Sequence, residues 1–410
     1  MPGRSFSAGS GSVLPWRPVL LLAPAQLVSW GTLYYGLTFL AGPIHDATGW
    51  SLTQLFAAFS AGLLVTALLT PLAGDLITRY GARPCLAGGS AIATGALMLL
   101  GLSPSLPFFW LGWLLGGVAM AFTLYEAAFS ALRESAGTQF RNGVAALAII
   151  AGLASTLAWP LTSRLLAISD WRTVFLVFAA LHALVALPVH LSLPRPGPTT
   201  GTKARQEHRA VPRKATPSLR ALAWLAAAFA LATMVSSAVS AQVAVLLSSL
   251  GLDKTLVLWS AMLIGPMQVI ARALDMGLHG ALSLERPGFM AFALPPFGVG
   301  LLLVVPAWPW VALLFAVLYG TGHGLVTIVR AVSPTHLGAA GTYARITGWL
   351  AFPSHLVRAL APAAAAVLLE TGGPLLTLIV LISLGLLSLL AFLRALSWMR
   401  SLPAHRTDAA

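Results

Sequence analysis

Residues 193–220 read LPRPGPTTGTKARQEHRAVPRKATPSLR, a polar stretch holding Lys203, Arg205, Arg209, Arg213, Lys214 and Arg220 among five prolines. Proline and clustered like charge both oppose a continuous helix. Apolar runs long enough to cross a membrane lie on either side, at 18–41, 53–74, 85–102, 107–131, 143–163 and 172–192 before it, and at 221–249, 255–277, 288–306, 309–330, 346–369 and 375–396 after it. A spanning helix needs about 20 such residues to cross roughly 30 Å of hydrocarbon. The stretch therefore reads as a linker between two halves of six spans each. The predicted organisation is a tail at 1–17, a six-helix bundle at 18–192, the linker at 193–220, a second bundle at 221–397 and a tail at 398–410.

Composition agrees with this reading. Of 410 residues, 58% are hydrophobic and 9% charged, against about 25% charged in an average soluble protein. A water-facing surface cannot be built from so few charges. Pro266, Pro287, Pro295 and Pro296 fall in or beside the eighth and ninth runs, and spanning helices tolerate proline where neighbours re-satisfy the freed backbone groups. The first run is longer than a signal-peptide core of about 7–15 residues and reads as a retained helix.

The net charge of +13 is scattered singly or in small groups between apolar runs. It forms no phosphate-binding stripe, so nucleic acid is not an expected partner. Lysine and arginine accumulate in cytoplasmic loops. With the N-terminus inside, twenty cations fall inside, Arg272 and Arg330 among them, against three outside (Arg164, Arg172 and Lys254). Both termini are then expected in the cytoplasm, with the linker beside anionic headgroups. Cys85 is the only cysteine, which leaves no intramolecular disulfide and no paired-thiolate metal site.

Weak internal repetition accompanies the six-plus-six division. Gly49-Trp50-Ser51 before the second span parallels Gly251-Leu252-Asp253 before the eighth. Between the second and third spans the chain reads Gly74-Asp75-Leu76-Ile77-Thr78-Arg79-Tyr80-Gly81-Ala82-Arg83-Pro84. This resembles the signature loop of the major facilitator superfamily. Gly74, Arg79, Gly81 and Arg83 match by position; Thr78 stands where the family has an acidic residue that helps lock the cytoplasmic gate. Asp75, one helical turn earlier, lies where it could share that face. Trp50-Ser51-Leu52-Thr53 and Asp170-Trp171-Arg172 also look like features of bacterial members. The region from Tyr125-Glu126 to Trp159-Pro160 resembles a bacterial subgroup some of whose relatives are thought to export arsenicals, which tips the expected direction towards efflux.

The resemblance implies an all-α membrane protein of twelve transmembrane helices in two pseudo-symmetric six-helix bundles. It also implies a monomer in the bacterial inner membrane that moves a small molecule or ion without a cofactor. The first, fourth, seventh and tenth helices of the family line the cavity. Gln26, Trp30 and Tyr34 fall on one face of the first span, and Thr233, Ser236, Ser237 and Ser240 form a hydroxylated face of the seventh. Helix packing and back-bonding hydroxyls are the competing readings. Glu126 reads as the only acidic residue firmly within a span and is the candidate proton carrier, since an intramembrane carboxylate marks a functional site by default. His323, one turn from Tyr319, could relay protons or simply pack. Arg358 in the eleventh span, one turn from His355, cannot lose its charge; it either holds an anionic substrate or neutralises a carboxylate such as Glu126. Asp170 is expected to cap the sixth helix.

Gly320-Thr321-Gly322-His323-Gly324 superficially resembles a phosphate loop, but no strand precedes it and no Gly-x-x-x-x-Gly-Lys follows. Small residues allowing close helix approach explain it better. The preferred function is secondary transport by alternating access, linked to protons. Two other classes stay open: a non-transporting sensor or assembly factor, favoured by the altered signature loop, and a membrane-embedded enzyme, for which Glu126, His323, His355 and Arg358 are too scattered in sequence to specify a site. No metal-ligand spacing occurs.

Overall fold

A computed structural model describes residues 16–194, 219–278, 284–338 and 340–400. The tails predicted at 1–17 and 398–410 and the linker at 193–220 lie outside these residues except at their edges.

The described residues form twelve helical passes. In the first half these are α1 (16–48), α2 (Leu52–Tyr80), α3 (Ala82–Gly101), α4 (Leu106–Ala136), α5 (Phe140–Ile168) and α6 (Trp171–Ser192). The second half contributes α7 (Leu219–Ser249), α8 (Lys254–Leu278), α9 (Glu285–Val304) and α10 (Val311–His336). It ends in a long helix, Tyr343–Arg400, divided at Gly373 (φ 73°) into α11 and α12. Ten helical segments among the described residues are long and apolar enough to cross a membrane. Of the other two passes, α1 is broken into pieces by a π turn at Trp30–Tyr34, and α11 carries Arg345, His355 and Arg358.

The local chemistry at the helix ends explains the paired motifs. Gly49 (φ 72°) and Gly251 (φ 88°) both take the left-handed conformation that only glycine adopts freely. Each is followed by a helix cap. Ser51 accepts from the Gln54 backbone N–H while the Gln54 side chain accepts from Ser51 N–H, a reciprocal capping box. Asp253 accepts from the N–H groups of Thr255 and Leu256. The repeat seen in sequence is thus one turn chemistry used twice, at equivalent points of the two halves.

Asp170 caps α6 by accepting from Thr173 N–H at 2.8 Å. That hydrogen bond is the first cause holding its carboxyl below the ordinary carboxylate range. The cap is complete at neutral pH and is lost as pH falls through that range. Asp170→Ala is expected to lower stability by about 1 kcal/mol, read as a drop in melting temperature at pH 7 that shrinks at pH 3.

Glycines set how closely the helices of the second half approach. A Cβ on Gly320 or Gly324 would meet the carbonyl oxygens of Ile264 or Gln268 in α8, and one on Gly322 would meet Pro295 in α9. This is the close approach that small residues permit in membranes.

The hydrophobic clusters show how the halves meet. One, around Ile44, Leu55, Leu100, Phe109 and Trp171, draws on the first half alone. Another, around Leu246, Leu252, Val305, Ala312 and Phe315, draws on the second half alone. A third joins Val19, Ile77, Ala136, Phe140 and Leu193 to Ala331, Tyr343 and Ala344, and a fourth sets Ala145 against Ile328 and Val332. The two shared clusters lie at the end of the bundle where α1 begins and α6 finishes. The halves are therefore sealed together at that end, and each packs by itself at the opposite end.

Candidate functional site

Two ion pairs cross the seal. Arg141, at the start of α5, donates from Nε and a terminal nitrogen to both carboxylate oxygens of Asp275 in the last turn of α8, at 2.9 and 2.6 Å. Both side chains are buried, 2% and 1% exposed. This corrects the expectation that Glu126 is the only acidic residue within a span. Arg345, opening α11, reaches Asp75 at 2.5 Å, and this pair is about half exposed. The Arg345 backbone N–H also donates to Thr78 Oγ1. Asp75 and Thr78 therefore both bind Arg345 at this point of the seal. Gly74 lies against Ala344 so closely that a Cβ would run into its carbonyl oxygen. Arg79 is exposed over its neighbour Tyr80, and neither it nor Arg83 contributes an ion pair to the seal among the described residues.

Gly74→Val would force α2 and α11 apart. Overpacking of about 1–3 kcal/mol corresponds to a population shift of about 5–150-fold. A cysteine at Ser130, which is buried beside the seal, is expected to react that much faster with maleimide in a Cys85→Ser background.

Glu126 sits just after Leu124, whose extended backbone (φ −80°, ψ −166°) breaks α4 in two. Its carboxylate lies 3.2 Å from His355 Nε2 on α11, off the line of a hydrogen bond. Between them the two residues join the halves a few turns inside the seal. A gap of about 10 Å³, lined by Thr70, Gly74, Glu126, Ser130 and Gly348, leaves room there for about one water. Arg133 does not pair with Glu126; it stacks on Phe140 and donates to the Gly137 carbonyl.

Deeper in, aromatic rings cover one wall. Trp30 contacts Tyr34, Tyr35 and Tyr125 at centroid distances of 5.2, 6.2 and 4.7 Å. The Trp30 Nε1–H is buried without a partner. Gln26 is fully buried and donates to the Thr123 carbonyl at 2.6 Å, tying α1 to α4, while its Oε1 has no partner. In the second half Tyr319 lies parallel to His323, centroids 6.0 Å apart, with its hydroxyl near Ser236 and Ser240. Ser237 is half-buried and Ser240 exposed.

Three arginines converge on this interior. Arg272 is 7% exposed and donates, at 3.3–3.4 Å, to the Gly324 and Ala148 carbonyls and to Gln268. Arg330 donates to Thr233 Oγ1 and lies over Phe229. Arg358 makes no hydrogen bond or ion pair with a described residue, and it lies within electrostatic range of Tyr35, Tyr125, Arg330 and His323. Glu126, which Arg358 is a candidate to neutralise, has His355 rather than Arg358 as its near neighbour. Arg272 and Arg330 had been assigned to inside segments because charges near helix ends look like loop charges in sequence. Among the described residues no group of three or more His, Cys, Asp or Glu could hold a metal ion.

Residues 22–288 match the sequence model of the Major Facilitator Superfamily. The chain belongs to the major facilitator superfamily. Two solved structures share the superfamily fold. The human organic anion transporter MFSD10 (TETRAN) is 18% identical, with 92% of this chain and 99% of that one covered and a TM-score of 0.70. The proton:xylose symporter XylE, bound to 6-bromo-6-deoxy-D-glucose, is 13% identical, with 95% and 96% covered and a TM-score of 0.68. No curated protein sequence matches the chain. Membership makes this a multi-pass membrane protein with a secondary-transporter fold, of a transporter rather than an enzyme family, built to take a small molecule within the membrane.

Proposed function

We propose that the chain moves a small solute across the bacterial inner membrane by alternating access, coupled to protons through Glu126, in the direction of efflux. The two solved neighbours are described as carrying an organic anion and, with a proton, xylose, so likeness of fold leaves the choice to this chain's own residues. The observation that carries the proposal is the Glu126–His355 contact, an ionisable pair between halves that must separate when the seal opens. His323 is the second proton group, placed among the arginines beside Tyr319. The excess of cations at the sealed end supports a cytoplasmic seal and cytoplasmic termini. The cavity would then be loaded from, or emptied to, the outside in this state, with one monomer sufficient to form it.

Asp75 and Thr78 bonding to Arg345 support a working gate in spite of the missing family acid, which weighs against a sensor that does not transport. Reconstituted vesicles test the proposal: solute flux should follow an imposed pH gradient, and flux indifferent to the gradient would remove the proton coupling.

A further inference from the structure

We infer that the interior site takes a small organic anion with an apolar or aromatic body. This rests on the transporter reading above and names its substrate class.

The argument begins with charge. Arg272 donates to the carbonyl of Gly324, next to His323, Arg330 lies two turns further along the same helix, and Arg358 lies one turn from His355, which faces Glu126, so the three guanidinium groups share one region of the interior. A guanidinium keeps its proton under all ordinary conditions, and an intramembrane charge without a counter-charge is expensive. Asp275 takes both donors of Arg141, and Glu126, 3.2 Å from His355, is one carboxylate against three guanidinium groups. Arg272 has only neutral acceptors, at long distances. Arg358 has no hydrogen-bond or ion-pair partner among the described residues. The site thus carries a positive surplus that the described residues do not balance.

Two unpaired donors add to this. Trp30 Nε1 and Arg330 Nε are buried with no partner, and both are donors only; Gln26 Oε1, one turn before Trp30, is an unpaired acceptor. A ligand there meets donors and one acceptor, and the surplus of positive charge calls for an anion. A carboxylate or phosphonate can take two donors of one guanidinium in parallel. The ring wall of Trp30, Tyr35 and Tyr125, within range of Arg358, gives the rest of such a molecule an apolar surface on which to lie. Ala148 belongs to the first half and Arg272 to the second, so a ligand that draws Arg272 from the Ala148 carbonyl would loosen one link between the halves as it binds.

The test uses the full chain in nanodiscs, with benzoate and phenylphosphonate as probes and benzamide as the uncharged counterpart of the same shape. Calorimetric titration at low ionic strength should show binding of at least one acid and none of the amide. Arg358→Gln should weaken binding at least about tenfold, the loss expected for one charge-assisted bond, and Arg358→Lys should recover part of it. Because Arg358 has no hydrogen-bond or ion-pair partner among the described residues, both variants should fold, which their unliganded melting temperatures check. Arg286→Gln, at the edge of α9, should leave binding unchanged. Equal binding of acid and amide, no binding of either, or full acid binding by Arg358→Gln would overturn the inference. Acid binding with no flux of the acid would remove the transporter reading and leave the anion site standing. Flux of an uncharged solute with no acid binding would do the reverse.

Discussion

Asp275→Asn is expected to open the sealed end of the bundle. The substitution leaves Arg141 buried and charged without its counter-charge, facing one amide oxygen where it had two carboxylate oxygens, and removing one partner of a buried ion pair costs about 3–5 kcal/mol. The loss falls on the sealed state alone, because separation of α5 from α8 would let water reach Arg141. At 1.4 kcal/mol per factor of ten, the equilibrium should move more than about 100-fold towards the unsealed state. A cysteine at Ala145, fully buried against Ile328 and Val332 in the sealed state, should then react with a soluble maleimide from that end, in a Cys85→Ser background. The double variant Arg141→Met with Asp275→Leu should restore protection, since apolar residues of similar volume commonly replace a buried pair without loss. Asp75→Asn should do far less. Its pair with Arg345 is 44% and 56% exposed, and exposed pairs contribute about 0–1 kcal/mol. Equal labelling in the wild type and Asp275→Asn would sink the assignment of Arg141 and Asp275 as the principal lock.

How far this was legible in the sequence depends on which solvent decided each feature. Lipid fixes the length and apolarity of most passes, so the helical spans could be read directly, and the cap at Asp170 follows from its place just before the sixth of them. Tertiary pairing leaves no such mark. Arg141 and Asp275 are 134 residues apart, and each falls near the end of its helix, where a charge reads as a loop residue. The same habit placed Arg272 and Arg330 in inside segments, although α8 and α10 run on beyond them and carry both inward. Glu126, His323 and Arg358 were singled out because a polar group in a span is anomalous on its own. Their partners were not, because His355 faces Glu126 only through the crossing of α4 and α11. Helical spacing puts Gln26 with Trp30 and Tyr34; in the structure its amide N–H is taken up by the Thr123 carbonyl while its Oε1 stays buried without a partner, a division no sequence pattern records. Aspartate on α8 went unnoticed because its apolar flanks gave no hint of a partner, whereas a carboxylate within a predicted span should itself have been a signal.

Glu126→Gln is expected to uncouple transport from the pH gradient while leaving exchange of solute intact. In the sealed state the carboxylate lies beside His355 and within range of Arg330. Separation of α4 from α11 replaces those neighbours with water. A group whose surroundings differ between two conformations differs in its affinity for a proton, and by linkage the proton then biases the conformations in return. Glutamine keeps the size of the side chain and one of its two acceptor oxygens and cannot titrate, so the bias disappears without a packing defect. With one coupled proton, a gradient of one pH unit supplies about 1.36 kcal/mol, or about tenfold accumulation of solute. Vesicles holding the wild type should approach that ratio. Those holding Glu126→Gln should equilibrate near unity, with counterflow of labelled against unlabelled solute still rapid. His355→Gln should fall between them, because it leaves the carboxylate titratable but removes the neighbour that distinguishes the sealed state. Accumulation by Glu126→Gln that still tracks the pH gradient would move the coupling to another group, with His323, the other ionisable side chain among the arginines, the next to replace.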